Sequence, residues 1–299
     1  MAKIAYVEKK FKDESLVLIE RCNAVIVDYQ RQGFSLTLRQ LYYQMVSRNI
    51  IENTERSYKR LGDLVSNARL AGLIDWNAIE DRGRNLRMNS HWETPADIIR
   101  SARRSFKVDK WKGQRYRPEV WIEKQALEGV IAGVCGRLDV PYFACKGYNS
   151  QSEQWGAGQR LRRYMQDGYE PIIFHLGDHD PSGIDMTRDN RDRLELFMGG
   201  VEFQRLALNM SQIDEYQPPP NPAKETDSRF ASYIELYGDE SWELDALEPQ
   251  VLVDLIERSI LRIRDDEQYE QMVALEQEGV HLLAEVEERW ADVVSYLEE

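Results

Sequence analysis

The chain has 299 residues, of which 42% are hydrophobic and 30% charged, the make-up of a folded globular protein with room for one large domain or two ordinary ones. No apolar run approaches the roughly eighteen residues of a membrane-spanning helix, the first residues lack the apolar core of a secretory signal, and Cys22, Cys135 and Cys145 are too few and scattered for a zinc site or a disulfide framework. The formal charge of −13 is unevenly divided: residues 1–120 hold 23 Lys and Arg against 15 Asp and Glu, a balance of +8, which leaves −21 for residues 121–299. These features point to a cytoplasmic protein with three reduced thiols. Its basic front half either meets phosphate or packs against the acidic half, and charge alone leaves both open.

In chain order, the spacing predicts a first helix from about Glu14 to Gln32, ended by Gly33. Thr37-Leu-Arg-Gln40 announces a second: Thr37 can cap the amide three residues on, and Gln40 can reach back. Leu38, Leu41, Tyr42, Met45 and Val46 recur at helical spacing and form one apolar stripe that buries Tyr42. Tyr43 is turned by about 100° from that stripe and is expected to present its hydroxyl beside Arg39. On this helix alone Tyr43 is a surface tyrosine, a donor to phosphate, or a nucleophile held near a cation. A third helix follows Asn53-Thr54 and stops at Gly72, and short extended patches around a turn follow from Leu73 to Arg84. Three helices and a small β-wing make a winged helix-turn-helix, whose third helix is the one offered to a DNA groove. Lys59, Arg60 and Arg69 of that helix, with Arg82, Arg84 and Arg87 of the wing, are the candidate DNA contacts. This unit is assigned to residues 1–98.

A stretch rich in Arg and Lys, 99–117, opens a second unit, 99–299. Strands are expected at Val120–Ile122, Val140–Cys145, Pro171–Leu176 and Val201–Leu208, with helices near 125–137 and 153–167 and from Ser182. That alternation predicts a mixed α/β chain with a mainly parallel sheet flanked by helices. Pro218–Pro222 is a loop, and from Pro249 the chain is helical and acidic, with Glu276, Glu278, Glu285, Glu287 and Glu288 read as solvated charge.

In an open α/β sheet, ligands bind outside the carboxyl ends of the strands. One predicted strand ends in Glu123-Lys124, another runs into Asp178-His-Asp180-Pro-Ser-Gly183. In extended chain Asp178 and Asp180 project together, and a neighbouring strand can add Glu123. Oxygen donors without His or Cys partners suit Mg²⁺, which bridges to phosphate. The same Asp, Pro, Ser and Gly also compose an ordinary turn. Around this group, His175 reads as a core residue. Lys124 either neutralises phosphate or is solvated, Ser150 and Ser152 either cap a helix or meet phosphate, and Glu243 and Asp245 either support a metal or pair on the surface.

Together these motifs resemble a family. Glu123 followed by Asp178-x-Asp180 is similar to a Toprim domain, the metal-binding unit of type IA and type II topoisomerases, bacterial primases and some nucleases. Asp178-His-Asp180-Pro-Ser-Gly183 resembles the Asp-x-Asp-Pro-x-Gly form of the topoisomerase VI A subunit, and Trp242-Glu-Leu-Asp-Ala-Leu247 resembles a segment downstream in it. Arg39-Gln-Leu-Tyr-Tyr43 resembles the Arg-x-x-Tyr-Tyr motif of its winged-helix domain and of the meiotic double-strand-break transesterase. The resemblance runs in family order from about residue 14 to about residue 260. It implies a DNA-cleaving enzyme in which Tyr43 attacks DNA beside Arg39, Glu123 handles a proton or shares the metal, and Glu123, Asp178 and Asp180 hold Mg²⁺. It also implies a homodimer, with Tyr43 of one chain near the metal of the other.

Two departures qualify that picture. The segment before the first helix is shorter than the one by which an A subunit docks its ATPase partner, and no Gly-rich ATP-binding loop is present, so this chain alone is not expected to run an ATP-driven strand-passage cycle; a separate ATPase subunit is left open but not implied by the sequence. In this the chain resembles the compact, partnerless Mini-A proteins. The Wadjet nuclease subunit is a second relative in kind, with cleavage that needs no covalent tyrosine, so water as the attacking group stays open. A non-catalytic DNA-binding protein is the third alternative, disfavoured because carboxylates beside phosphate repel unless a cation is present. A cytoplasmic, nucleoid-associated location follows from these expectations.

Overall fold

Capping chemistry sets the first three helices, α1 (Asp13–Arg31), α2 (Leu38–Ser47) and α3 (Glu55–Leu70). Thr37 accepts from the Gln40 amide at 3.2 Å while the Gln40 side chain accepts from the Thr37 amide at 2.9 Å, the reciprocal cap expected before α2. The Thr54 hydroxyl accepts from the Ser57 amide at 3.1 Å and opens α3. The three helices share an apolar cluster containing Ile19, Val25, Tyr29, Leu41, Met45, Leu61 and Val65. Each large side chain buried there contributes about 1.5–3 kcal/mol. The computed structural model describes residues 3–34, 36–79, 89, 91–145, 147 and 149–298. Of the extended patches expected after Gly72, the described residues contain one parallel bridge, between Ile79 and Leu36. Arg82, Arg84 and Arg87 lie outside the described residues.

A second reciprocal cap, Thr94 with Asp97, starts α4 (Pro95–Ser105) with proline in the first turn, where its missing N–H costs nothing. Then come β1 (Tyr116–Ile122), a 3-10 turn at 125–127, α5 (Glu128–Arg137), β2 (Tyr142–Ala144), α6 (Gln151–Gln166), β3 (Glu170–Leu176), α7 (Pro181–Met198) and β4 (Glu202–Ala207). The strands form one parallel sheet in the order β2-β1-β3-β4. Both faces are covered, as a parallel sheet requires. Val120, Ile122, Phe174 and Leu176 face one apolar cluster, whereas Trp121 and Ile173, one residue out of phase, face another with Leu161 and Leu194.

The rest of the chain adds α8 (Met210–Tyr216), β5 (Asn221–Pro222), α9 (Phe230–Tyr237), β6 (Glu240–Ser241), a 3-10 turn at 244–246, α10 (Pro249–Ile263), α11 (Asp266–Glu288) and α12 (Trp290–Glu298). Helix α11 lies along α4 and the segment after it. Arg100 and Arg103 meet Glu287 at 2.6 and 2.9 Å, and Lys107 and Lys110 meet Glu276 at 2.8 and 2.6 Å. The expectation of solvated charge therefore fails for Glu276 and Glu287, whose side chains are only 12% and 16% exposed. It fails because the basic front of the chain folds onto them. Glu278, Glu285 and Glu288 are exposed. Among the described residues no helix is long and apolar enough to cross a membrane, and all three cysteines are buried and free.

Candidate active site

Register brings the ends of β1 and β3 level: Ile122 pairs with Leu176, and the Glu123 amide donates to the Leu176 carbonyl at 2.8 Å. The Glu123 carboxylate then turns across the next strand end and accepts from the Asp178 amide at 2.9 Å. It fits because Gly177 has no side chain. A Cβ there would stand 2.9 Å from the carboxylate oxygen and 3.1 Å from the His175 ring. Asp180 caps α7, accepting from the Gly183 amide at 2.6 Å and the Ser182 hydroxyl at 3.1 Å. Gly183 is required too, since a Cβ would overlap the Asp178 carbonyl. Arg205 of β4 holds this loop from below. It donates to the carbonyls of Gly177 at 3.1 Å, Asp178 at 2.6 Å, Gly183 at 3.1 Å and Leu208 at 3.2 Å, and to Thr187.

A second acidic segment is stitched to the first. His179 and Trp242 exchange backbone hydrogen bonds of 2.8 and 2.9 Å, and the Leu244 amide donates to Asp178 Oδ1 at 2.7 Å. Glu243 and Asp245 are thereby drawn to Asp178, and carboxylate oxygens of the three lie within 4.8 Å of one another. Opposed oxygens around a bound Mg²⁺ are about 4.2 Å apart, so this acidic group can hold a metal ion after small side-chain shifts. A cation already stands there. Lys124 Nζ lies 2.9 Å from Asp178 Oδ1 and 2.8 Å from Asp245 Oδ1, and bonds Glu243. From α2, Arg39 reaches Glu243 at 3.0 Å and Asp245 at 3.2 Å.

The expected trio thus separates into parts. Asp178 belongs to the close acidic group, Glu123 rests on the Asp178 amide, and Asp180 caps a helix. Burial raises the Asp178 carboxyl well above the ordinary range, helped by Glu123, Glu243 and Asp245 and opposed by Lys124. Burial also raises Glu123, with the Asp178 amide and the Lys124 charge pulling the other way. Burial works against the charge of Glu243 as well, but Lys124 and Arg39 hold that group below its usual value. Burial alone would lower Lys124, yet Asp245, Asp178 and Glu243 hold it firmly protonated.

Tyr42 and Tyr43 are both buried, 4% and 6% exposed, so the expectation of an exposed Tyr43 is corrected. Helix α2 is covered on two faces, by α1 and α3 on one side and by the turn at 244–246 on the other. Tyr42 donates its hydroxyl to Asn53 at 3.0 Å. The Tyr43 ring lies 5.9 Å from the Arg39 guanidinium carbon, as the spacing implied. Burial, then Glu243 and Asp245, push its hydroxyl up to about 12, with Arg39 and Lys124 opposing. Tyr43 and Arg39 line a cleft of about 530 Å³ together with Asn53, Asp180, Trp242 and Glu243 of the same chain. A second cleft, about 620 Å³, shares Arg39 and Tyr58 with the first and continues to Ser66, Arg69 and Trp76.

Among the candidate DNA contacts, Lys59 is exposed and pairs with Glu55 at 2.7 Å, and Arg60 is exposed. Arg69 is half-buried, stacks on Trp76 and donates to its carbonyl at 2.5 Å. Ser150 caps α6, accepting from the Glu153 amide at 3.2 Å. His175 is buried against Thr187, and His179 bonds the Tyr233 hydroxyl at 2.8 Å. Sequence reasoning missed Arg205, although a lone arginine inside an expected strand was a signal. No family model matches this chain, and neither the curated proteins nor the solved structures contain a significant match to it.

Proposed function

We propose that this chain is a divalent-cation-dependent enzyme that cuts the DNA backbone, a winged-helix unit followed by a Toprim-like unit, similar in kind to the topoisomerase VI A subunit and its Mini-A relatives. One observation carries this reading: Asp180, just past the carboxyl end of β3, and Glu243 line one cleft with Arg39 and Tyr43 of α2. Carboxylates so crowded would repel a phosphodiester unless a cation lay between them. The donors are all oxygens, and the Lys124 ammonium seated between Asp178, Glu243 and Asp245 supports a local preference for positive charge around Asp178. Glu123, Asp178 and Asp180 would hold Mg²⁺, which when bound neutralises charge on a phosphate oxygen.

The chain's own groups supply the rest. The Tyr43 oxygen forms the new bond to phosphorus as the bond to the leaving sugar oxygen breaks; the phenol proton passes to a carboxylate, and the leaving oxygen takes up a proton from water. Glu123 would accept the phenol proton through a water, since Glu243 and Asp245 are the acids whose charges act on the Tyr43 hydroxyl. Arg39 adds positive charge beside the phosphate. Lys59, Arg60 and Arg69 contact the DNA backbone, and a homodimer would set two such clefts on the two strands of a duplex.

The burial of Tyr43 favours a second reading, in which water attacks and Tyr43 positions the DNA. Denaturing gels of labelled DNA incubated with protein and Mg²⁺ separate the two. DNA that stays attached to protein supports tyrosine, free cut ends support water, and intact DNA with both Mg²⁺ and Mn²⁺ sinks both.

A further inference from the structure

Lys124 meets three carboxylates: it donates to Asp245 at 2.8 Å and to Glu243, and its ammonium lies 2.9 Å from Asp178 Oδ1. The cage is tight. Its ligand oxygens lie within 4.8 Å of one another, the Leu244 amide fixes Asp178 Oδ1 at 2.7 Å, and Arg39 closes Glu243 and Asp245 at 3.0 and 3.2 Å. Asp178 is shared: its carboxylate belongs to this cage, and its backbone amide holds Glu123 of the proposed Glu123–Asp178–Asp180 seat. Two cation seats that share a carboxylate are the plan of enzymes that cut phosphodiesters with two ions, one on the attacking and one on the leaving oxygen. Here one seat is taken by the chain's own ammonium.

We propose that Lys124 is a built-in substitute for the second divalent ion, so that each chain loads a single ion, at Glu123, Asp178 and Asp180. The inference rests on the preceding reading for that first seat only. Formally, three carboxylates against Lys124 and Arg39 leave one negative charge in the cage. That is too little to recruit a divalent ion without expelling the ammonium and breaking its hydrogen bonds to Asp245 and Glu243 and its ion pair with Asp178. An ammonium neutralises charge but cannot lower the pKa of a bound water as a metal does. Lys124 therefore acts as a fixed charge beside the reacting phosphate.

The test is the number of Mn²⁺ ions bound per chain, read by electron paramagnetic resonance titration of the full-length protein. Wild type is expected to bind one and Lys124→Met two, with the added ion lost again when Asp245→Asn is combined with Lys124→Met. No gain in Lys124→Met, or two ions in wild type, overturns the proposal. Zero in wild type and one in the variant leaves it standing and sinks the first seat instead. Should Lys124→Met fold only with Mn²⁺ present, the ion has replaced the ammonium, as proposed. Should it not fold at all, Asp245→Asn alone decides: an unchanged count supports the proposal, and loss of the wild-type ion overturns it.

Discussion

Arg39 Nε, on α2, lies 3.2 Å from Oδ2 of Asp245, a carboxylate with no exposed side-chain surface. The contact joins the N-terminal helices to the turn that carries the second acidic segment. With Lys124 on its other oxygen, Asp245 is a buried anion compensated from two directions.

Removing that anion leaves two cations short of a partner. Breaking a buried pair costs about 3–5 kcal/mol, and Lys124 keeps Asp178 and Glu243, so Asp245→Ala is expected to lose about 3 kcal/mol. Urea denaturation measures it, and an unchanged midpoint would show the pair to be inert.

Asp180 has two separable tasks, capping α7 and carrying charge. Asn caps as well as Asp, whereas Ala costs about 1 kcal/mol. Asp180→Asn is therefore expected to melt like wild type and Asp180→Ala lower, with both losing DNA cleavage. An Asn variant that cuts at the wild-type rate would reduce Asp180 to a cap.

The tyrosines part in the same way. Tyr42→Phe gives up hydrogen bonds to Asn53 and the Thr54 carbonyl and should lose about 1 kcal/mol of stability with cleavage retained. Tyr43→Phe keeps the ring against Arg39 and should fold normally but form no covalent adduct. If Tyr43→Phe cuts as fast as wild type, water is the nucleophile.

Acid should loosen the sheet through His175. Burial lowers this histidine from 6.5 to about 3, aided by the Arg205 charge. Between those values the unfolded chain binds the proton and the folded chain does not, so the contribution of His175 is complete above pH 6.5 and is lost as pH falls toward about 3. The slope of stability against pH across that window should be shallower in His175→Asn. Equal slopes would mean that His175 titrates normally in the fold.

Elements with a local cause were legible in the sequence. The Thr37–Gln40 cap, the helical start at Pro249 and the short apolar runs of β1 and β3 depend on residues within a few positions of one another. Glu123, Asp178 and Asp180 were legible as strand-end acids. Their division of labour was not, because it depends on the Trp242–His179 bridge, which joins segments far apart in the chain. Tyr43 shows the same limit. A stripe on one helix says which face is apolar, but not that a distant turn will cover the other face.

The clasp between α4 and α11 bears on how strongly salt would act on any polyanion that binds. Of the eight Lys and Arg between 99 and 117, six already meet a carboxylate of the same chain: Arg100, Arg103, Lys107, Lys110, Arg115 and Arg117. Affinity for DNA falls with ionic strength in proportion to the counterions released from phosphate. A cation seated on an internal carboxylate releases few of them. The slope of log affinity against log salt should thus count only the positive charges left facing solvent, and be shallower than the composition of the front half implies.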